Sequence, residues 1–153
     1  MSLLLFAVGR EQYGLELKAL QEVAEDPALH FVPGGGDILA GAVNLHGRIL
    51  PVIDLAALFG MAADHRDPRL LVLTPEFRSL ALAVTGVGRI VSFAPEDLQL
   101  PPIDLALPAV AGIVELAAQP VHLLDTLAVI ERLQAFYTAE KETRNAVESD
   151  DRR

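Results

Sequence analysis

Imidazoles, hydroxyls and carboxylates are the groups in this chain able to do chemistry, so their spacing is the first question. The four histidines are His30, His46, His65 and His122. None stands at metal-ligand spacing from another, so no zinc-type cluster is implied. His65 falls in a polar loop, and His30 and His122 read as solvent-facing strand positions. The serines are Ser2, Ser79, Ser92 and Ser149, and none lies in a nucleophile elbow. Glu25-Asp26 and Glu96-Asp97 are adjacent acids beside Pro27 and Pro95. Such pairs start turns and helices far more often than they act as general acid and base. Pro33-Gly34-Gly35-Gly36 has the glycines of a phosphate loop, but no Lys-Ser/Thr follows and Asp37 would repel phosphate. Cysteine and tryptophan are absent, which removes thiol chemistry, and aromatic residues at 5 % offer no stacking platform. The chain therefore reads as a non-enzyme with no cofactor and no metal, and as a surface for other proteins.

Composition narrows the partners. At 153 residues and 52 % hydrophobic, the chain can bury a real core as one domain or two small halves. Twelve basic against 21 acidic residues give a formal charge of −9, which disfavours nucleic acid and anionic membrane. The apolar start, Met1 to Val8, lacks a basic flank and is too short to span a bilayer. It is expected to be a first strand, and the protein to be cytoplasmic with no direct membrane insertion.

The stretch that organises the rest is Gly41 to Leu55. Apolar positions at 43, 45, 49, 50, 52, 53 and 55, broken once at His46-Gly47, predict two short strands joined by a tight turn. Asp54 then caps the short helix Leu55 to Phe59, and Gly60 ends it. Upstream, Leu3 to Val8 reads as a buried strand and Tyr13, Leu15 and Leu17 as a half-exposed one. Leu17, Leu20 and Val23 fall at roughly helical spacing, which suggests one helical turn. Downstream, strands are expected at 70 to 73, 80 to 84 and 86 to 93, with a turn over Thr74 to Arg78 between the first two. A last strand pair is expected at 113 to 116 and 121 to 124. Asp125-Thr126 should cap a helix with Leu127, Ile130, Leu133 and Phe136-Tyr137 on its apolar face. Beyond Thr138 the composition turns charged, so 139–153 is expected to be a fraying or disordered tail.

A weak repeat runs through the chain. Adding 67 matches Leu3 with Leu70, Leu20 with Val87 and Val23 with Ile90; adding 71 matches Gly41 with Gly112 and Asp54 with Asp125. Two small antiparallel barrels packed together are the simplest architecture, since closure removes exposed strand edges.

These residues resemble a known family. Phe6-x-Val8-Gly9 with Tyr13-Gly14-Leu15 looks like the first hairpin of CheW-type chemotaxis coupling proteins, and Leu20-Gln21-Glu22-Val23 resembles the segment after it. The most specific match is Gly41-x-Val43-Asn44-Leu45-x-Gly47-x-Ile49-x-Pro51-Val52-Ile53-Asp54-Leu55. The resemblance covers about residues 3 to 136. It implies an all-β fold of two SH3-like five-stranded barrels with a C-terminal helix, a CheW-like domain over 1–138. It also implies a non-catalytic adaptor whose partners are the cytoplasmic tip of a methyl-accepting chemoreceptor and the regulatory domain of a CheA-type histidine kinase. Carried over residue by residue, the receptor surface would comprise Leu17, Leu20, Glu22, Val23, Gly41, Val43, Asn44 and His46. Gly41 would serve there by letting a partner's backbone come close. Two positions depart from the pattern. His46 stands where arginine is usual, and an arginine can pair with the acid matching Glu22; histidine is shorter, so it either donates a hydrogen bond or is a turn residue without consequence. Thr85-Gly86 stands where Asp-Gly is common. No receiver, phosphotransfer or kinase segment is recognisable. The alternative reading is a small-ligand sensor on the same barrels, which an enclosed polar pocket would favour over a shallow apolar groove.

Overall fold

The structure, a computed structural model, describes residues 1–76 and 78–151, with side chains described through residue 146. Among these, ten strands form two five-stranded sheets. In chain order they are β1 (Ser2–Val8), β2 (Glu11–Glu16), β3 (Leu20–Ala24), β4 (Leu39–Leu45), β5 (Arg48–Asp54), β6 (Leu70–Leu73), β7 (Ala81–Ala83), β8 (Gly86–Ser92), β9 (Val110–Leu116) and β10 (Gln119–Leu124). Helix α1 (Leu55–Phe59) follows β5 and helix α2 (Thr126–Asp151) follows β10. Sheet order is β8-β1-β2-β10-β9 in barrel 1 and β3-β6-β7-β5-β4 in barrel 2. No described helix is long and apolar enough to cross a membrane.

The repeat is present, with an exchange. Each strand of one order has its repeat equivalent at the same place in the other, and β1–β2 and β6–β7 are corresponding antiparallel hairpins. Yet barrel 1 takes its first two strands from the first half and three from the second, and barrel 2 does the reverse. The chain thus crosses between barrels twice, at residues 17–19 and 84–85. The barrels are also not purely antiparallel, because β2 pairs with β10 and β5 with β7 in parallel. Strands brought together by a long connection can run the same way, whereas hairpin neighbours cannot.

Three apolar clusters explain the patterning. Leu3, Leu5, Val91, Val114, Val121 and Leu123 fill barrel 1. Val43, Leu50, Val52, Leu70, Val72 and Ala81 are among those filling barrel 2. The larger cluster lies between the barrels and holds Leu4, Phe6, Tyr13, Leu15, Ile53, Leu71, Leu73 and Leu82. Alternate residues of β1 and β6 therefore face a barrel interior and the junction, so both strands are apolar on both faces. Tyr13 is fully buried there, and its hydroxyl donates to Pro108 O at 2.9 Å. Burial pushes its phenol up to about 12.

Each barrel is closed by a bridge outside the named strands, His30 to Ala42 in barrel 2 and Gln99 to Ile113 in barrel 1. Both helix caps form as the sequence predicts. Asp54 Oδ1 accepts Ala57 N–H at 3.1 Å and Asp125 Oδ1 accepts Ala128 N–H at 3.1 Å. Gly60, at φ 68°, ends α1 in the left-handed region. Three details differ from expectation. Leu127 is exposed and Val129 is buried in its place, while Ile130 is buried and Leu133 and Phe136 are partly buried on the face of α2 as expected. His122 is buried, because β10 lies between β2 and β9, and its Nδ1 is 2.9 Å from Gln12 O. Helix α2 continues as far as Asp151, through most of the charged segment; Arg152, Arg153 and Phe77 of the expected 74–78 turn lie outside the described residues.

Candidate functional site

The site begins at the first crossing. Leu17–Ala19 form a single 3-10 turn, after which β3 starts at Leu20. Leu20 pairs with Leu73 and Glu22 with Val72, so Gln21 is an extra residue in a β-bulge. Without the bulge, Leu20 and Val23 would point to opposite faces; with it, both pack against the junction cluster together with Leu17. The helical spacing of these three residues thus has another cause: one short turn, then a bulged strand.

Barrel 2 supplies the facing polar group. Leu45 and Arg48 are paired across a two-residue turn whose residues, His46 and Gly47, have φ of 53° and 81°. That is the backbone of a type I′ hairpin, which requires positive φ at both positions. A histidine in that region costs on the order of 1 kcal/mol. The turn delivers His46 Nε2 to 2.9 Å from Glu22 Oε1. A carboxylate oxygen accepts only, so Nε2 carries the proton. The contact ties β3 to the turn that ends β4, joining the two outer strands of barrel 2's order at the surface. With side chains 72 % and 33 % exposed, the pair adds little stability and leaves its polar atoms within reach of a partner. Histidine therefore does span to Glu22 in place of arginine.

The remaining predicted residues divide. Asn44 is exposed on β4 opposite exposed Ile49. Val43 is 0 % exposed in the core of barrel 2, so no partner touches it; alternation along β4 turns it inward. Gly41 is buried, and the close approach it permits is internal: a Cβ there would lie 2.5 Å from His30 O, at the bridge that closes the barrel. Thr85, the other departure, is also structural, because its Oγ1 accepts Gly9 N–H at 2.8 Å and secures the β1–β2 turn.

The sequence reading missed several exposed apolar side chains. Ile49 on β5 and Ile90 on β8 are 75 % and 57 % exposed, and Ile90 is the repeat equivalent of Val23. Phe31, Leu100 and Ile103, in the loops after the closing segments, are more exposed still. Burial is what distinguishes them from other apolar residues, and only Ile90 had a signal in the sequence, through the repeat. Among the described residues, no three His, Asp or Glu side chains gather as a metal-binding group. A cleft of about 680 Å³ between Gly34, Gly36 and α2 is open to solvent and lies away from the predicted residues.

The chain is thus a double barrel of two five-stranded sheets with an apolar junction and a paired acid and histidine on barrel 2. The CheW-like domain family model matches residues 2–134, and the chain belongs to that family. It is 28 % identical over 127 residues to a chemotaxis protein CheW of Klebsiella aerogenes, covering 80 % of this chain and 76 % of the relative. It is 24 % identical over 138 residues to a probable chemotaxis protein CheW of Rhizobium etli, covering 87 % and 89 %. A solved structure, the scaffolding protein TtCheW from Thermoanaerobacter tengcongensis, superposes with a TM-score of 0.73 at 24 % identity, covering 80 % of this chain and 87 % of that one.

Proposed function

We propose that this chain is a non-catalytic signalling adaptor of the cytoplasm, joining the tip of a chemoreceptor to the regulatory domain of a CheA-type histidine kinase. The family match over residues 2–134 carries this reading. In it, residues 1–138 are the binding unit and the charged 139–153 segment lies outside it. The receptor tip is a helical hairpin, which needs an apolar strip with polar groups at its margin. Leu17, Leu20 and Val23 along the junction, with Glu22 and His46 beside them and Asn44 on β4, offer that combination on barrel 2. Val43 and Gly41 support the surface from within. Leu98, Leu100 and Ile103 on the barrel 1 side offer a separate apolar surface for the kinase domain.

The test is titration of the purified chain with a receptor-tip hairpin and, separately, with the kinase's regulatory domain from the same genome. Leu20→Asp should abolish receptor binding, because it buries an unpaired charge against the partner helix. Ile103→Glu should weaken only the kinase domain. Because Leu20 is partly buried, melting is followed for both variants. Failure of the unmodified chain to bind either partner refutes the adaptor reading.

A further inference from the structure

The second crossing between barrels is fastened by a device that, among the described residues, has no counterpart at the first. Between β7 and β8 the chain passes from barrel 2 to barrel 1, and the loop before β6 grips it there. Asp67 N–H donates to Val84 O at 2.9 Å. Asp67 Oδ2 accepts Val87 N–H at 2.8 Å, and Arg69 Nη2 donates to Val87 O at 3.1 Å. Asp67 and Arg69 in turn hold each other in a fork, Nε to Oδ1 at 3.0 Å and Nη2 to Oδ2 at 2.9 Å. Arg69 N–H adds a bond to Oδ1 at 2.9 Å. The ion pair thus occupies both backbone groups of Val87, as a neighbouring strand would.

That matters because β8 is the outermost strand of its sheet order, where outward N–H and C=O groups have no strand partner. The carboxylate is also sheltered, with the Asp67 side chain only 10 % exposed against 37 % for Arg69, and the pair has the two-pronged geometry in which such pairs are strong. Val87 itself packs against the junction cluster alongside Leu17, Leu20 and Val23, and it is the repeat equivalent of Leu20. Among the described residues, the first crossing, Leu17–Ala19, has its 3-10 turn, one bond from Thr74 N–H to Ala19 O at 2.9 Å and an exposed Lys18–Glu16 ion pair at 3.6 Å.

We propose that Asp67 and Arg69 are positioning residues for the partner site: by gripping both backbone groups of Val87 they fix the start of β8 as the rigid wall of the junction, opposite the Leu17–Val23 segment that meets the partner helix. The inference rests on the adaptor reading, and it identifies residues that touch no partner themselves. A purely structural ion pair would predict a uniform loss of fold stability; a positioning pair predicts a loss selective for the partner that docks at the junction.

The experiment combines amide hydrogen exchange on the free protein with two titrations, for the unmodified chain, Asp67→Ala and the milder Arg69→Gln. The expected result is exchange at the Val87 amide at least tenfold faster in Asp67→Ala. Receptor-tip hairpin affinity should fall at least tenfold in Asp67→Ala and severalfold in Arg69→Gln, with kinase-domain affinity within twofold of the unmodified chain in both. Unchanged Val87 exchange overturns the proposal, as does faster exchange with unchanged receptor affinity. Equal losses for both partners also overturn it, since they indicate general destabilisation. Should Asp67→Ala fail to fold, Arg69→Gln decides by the same split. A receptor hairpin that does not bind the unmodified chain refutes the adaptor reading, and the positioning role with it; the exchange measurement then still shows whether the grip exists.

Discussion

Gly41→Ala, set beside Gly112→Ala, tests the barrel-closure argument at two repeat-equivalent positions. At Gly41 the added Cβ would meet His30 O at 2.5 Å and Leu29 Cγ and Cδ1 at 3.0 Å, and φ is 151°. A carbonyl in a bridge cannot move without breaking that bridge, which consists of two 2.8 Å bonds between His30 and Ala42. Losing both costs about 2 kcal/mol, and holding alanine at that φ costs about 1–3 kcal/mol more. At Gly112 the nearest atom is Leu98 Cδ1 at 2.6 Å, with Gln99 O at 3.2 Å, and φ lies outside the positive region. Leu98 is partly exposed and can swing aside, so a cost of about 1 kcal/mol is expected. Urea unfolding followed by circular dichroism reads the difference. With a slope of about 2 kcal/mol per molar, the midpoint should fall by about 2 M for Gly41→Ala and about 0.5 M for Gly112→Ala. Equal shifts would refute the distinction between a rigid carbonyl and a movable side chain. An unchanged midpoint in Gly41→Ala, coupled with lost receptor binding, would show that the glycine serves the partner and not the closure.

Three further outcomes are expected. Glu22→Ala should lower receptor-hairpin affinity several-fold by calorimetry while changing stability by less than about 1 kcal/mol, and His46→Arg should retain binding because a guanidinium can make the same contact. The Asp67 carboxyl is held down to about 2, chiefly by the Arg69 side-chain hydrogen bonds. Its lowered value means that the stability it contributes is present above about pH 4 and lost as pH falls toward 2. Acid unfolding curves of Asp67→Asn should therefore be flatter than the unmodified curve in that window, and an equal slope would show that the ion pair is not what holds the carboxyl down. Tyr13→Phe should cost about 1 kcal/mol in thermal unfolding through the lost bond to Pro108 O. In a Tyr137→Phe background, absorbance titration should show Tyr13 ionising near 12, its burial being the cause.

Local signals in the sequence carried the elements. The break at His46-Gly47, the caps Asp54 and Asp125 and the glycine at 60 each fix backbone conformation within a few residues, so the hairpin and both helix starts were legible. The 67 and 71 offsets carried the repeat, and the signature string from Gly41 to Leu55 carried the family. The site was legible only as a list, because a pattern of residue types does not say which apolar residue faces out. Val43 and Asn44 are adjacent in that string, yet one is core and the other surface. The bulge at Gln21 was hidden for a similar reason, since an extra residue in one strand is defined only by the partner strand it fails to match.

Sequence alone determined most of the strands, the turns and the kinship, because alternation, turn residues and motif spacing are each read within a few residues of chain. Tertiary structure decided which strand pairs with which: the exchange of hairpins between barrels, the parallel β2–β10 and β5–β7 pairs, and the burial of His122 between β2 and β9. It also decided that His46 reaches Glu22, 24 residues away, and that Asp67 and Arg69 meet Val87 about 20 residues on. Such contacts depend on how whole faces fit together, because hydrophobic burial is non-directional and is satisfied by many pairings until the complete core selects one.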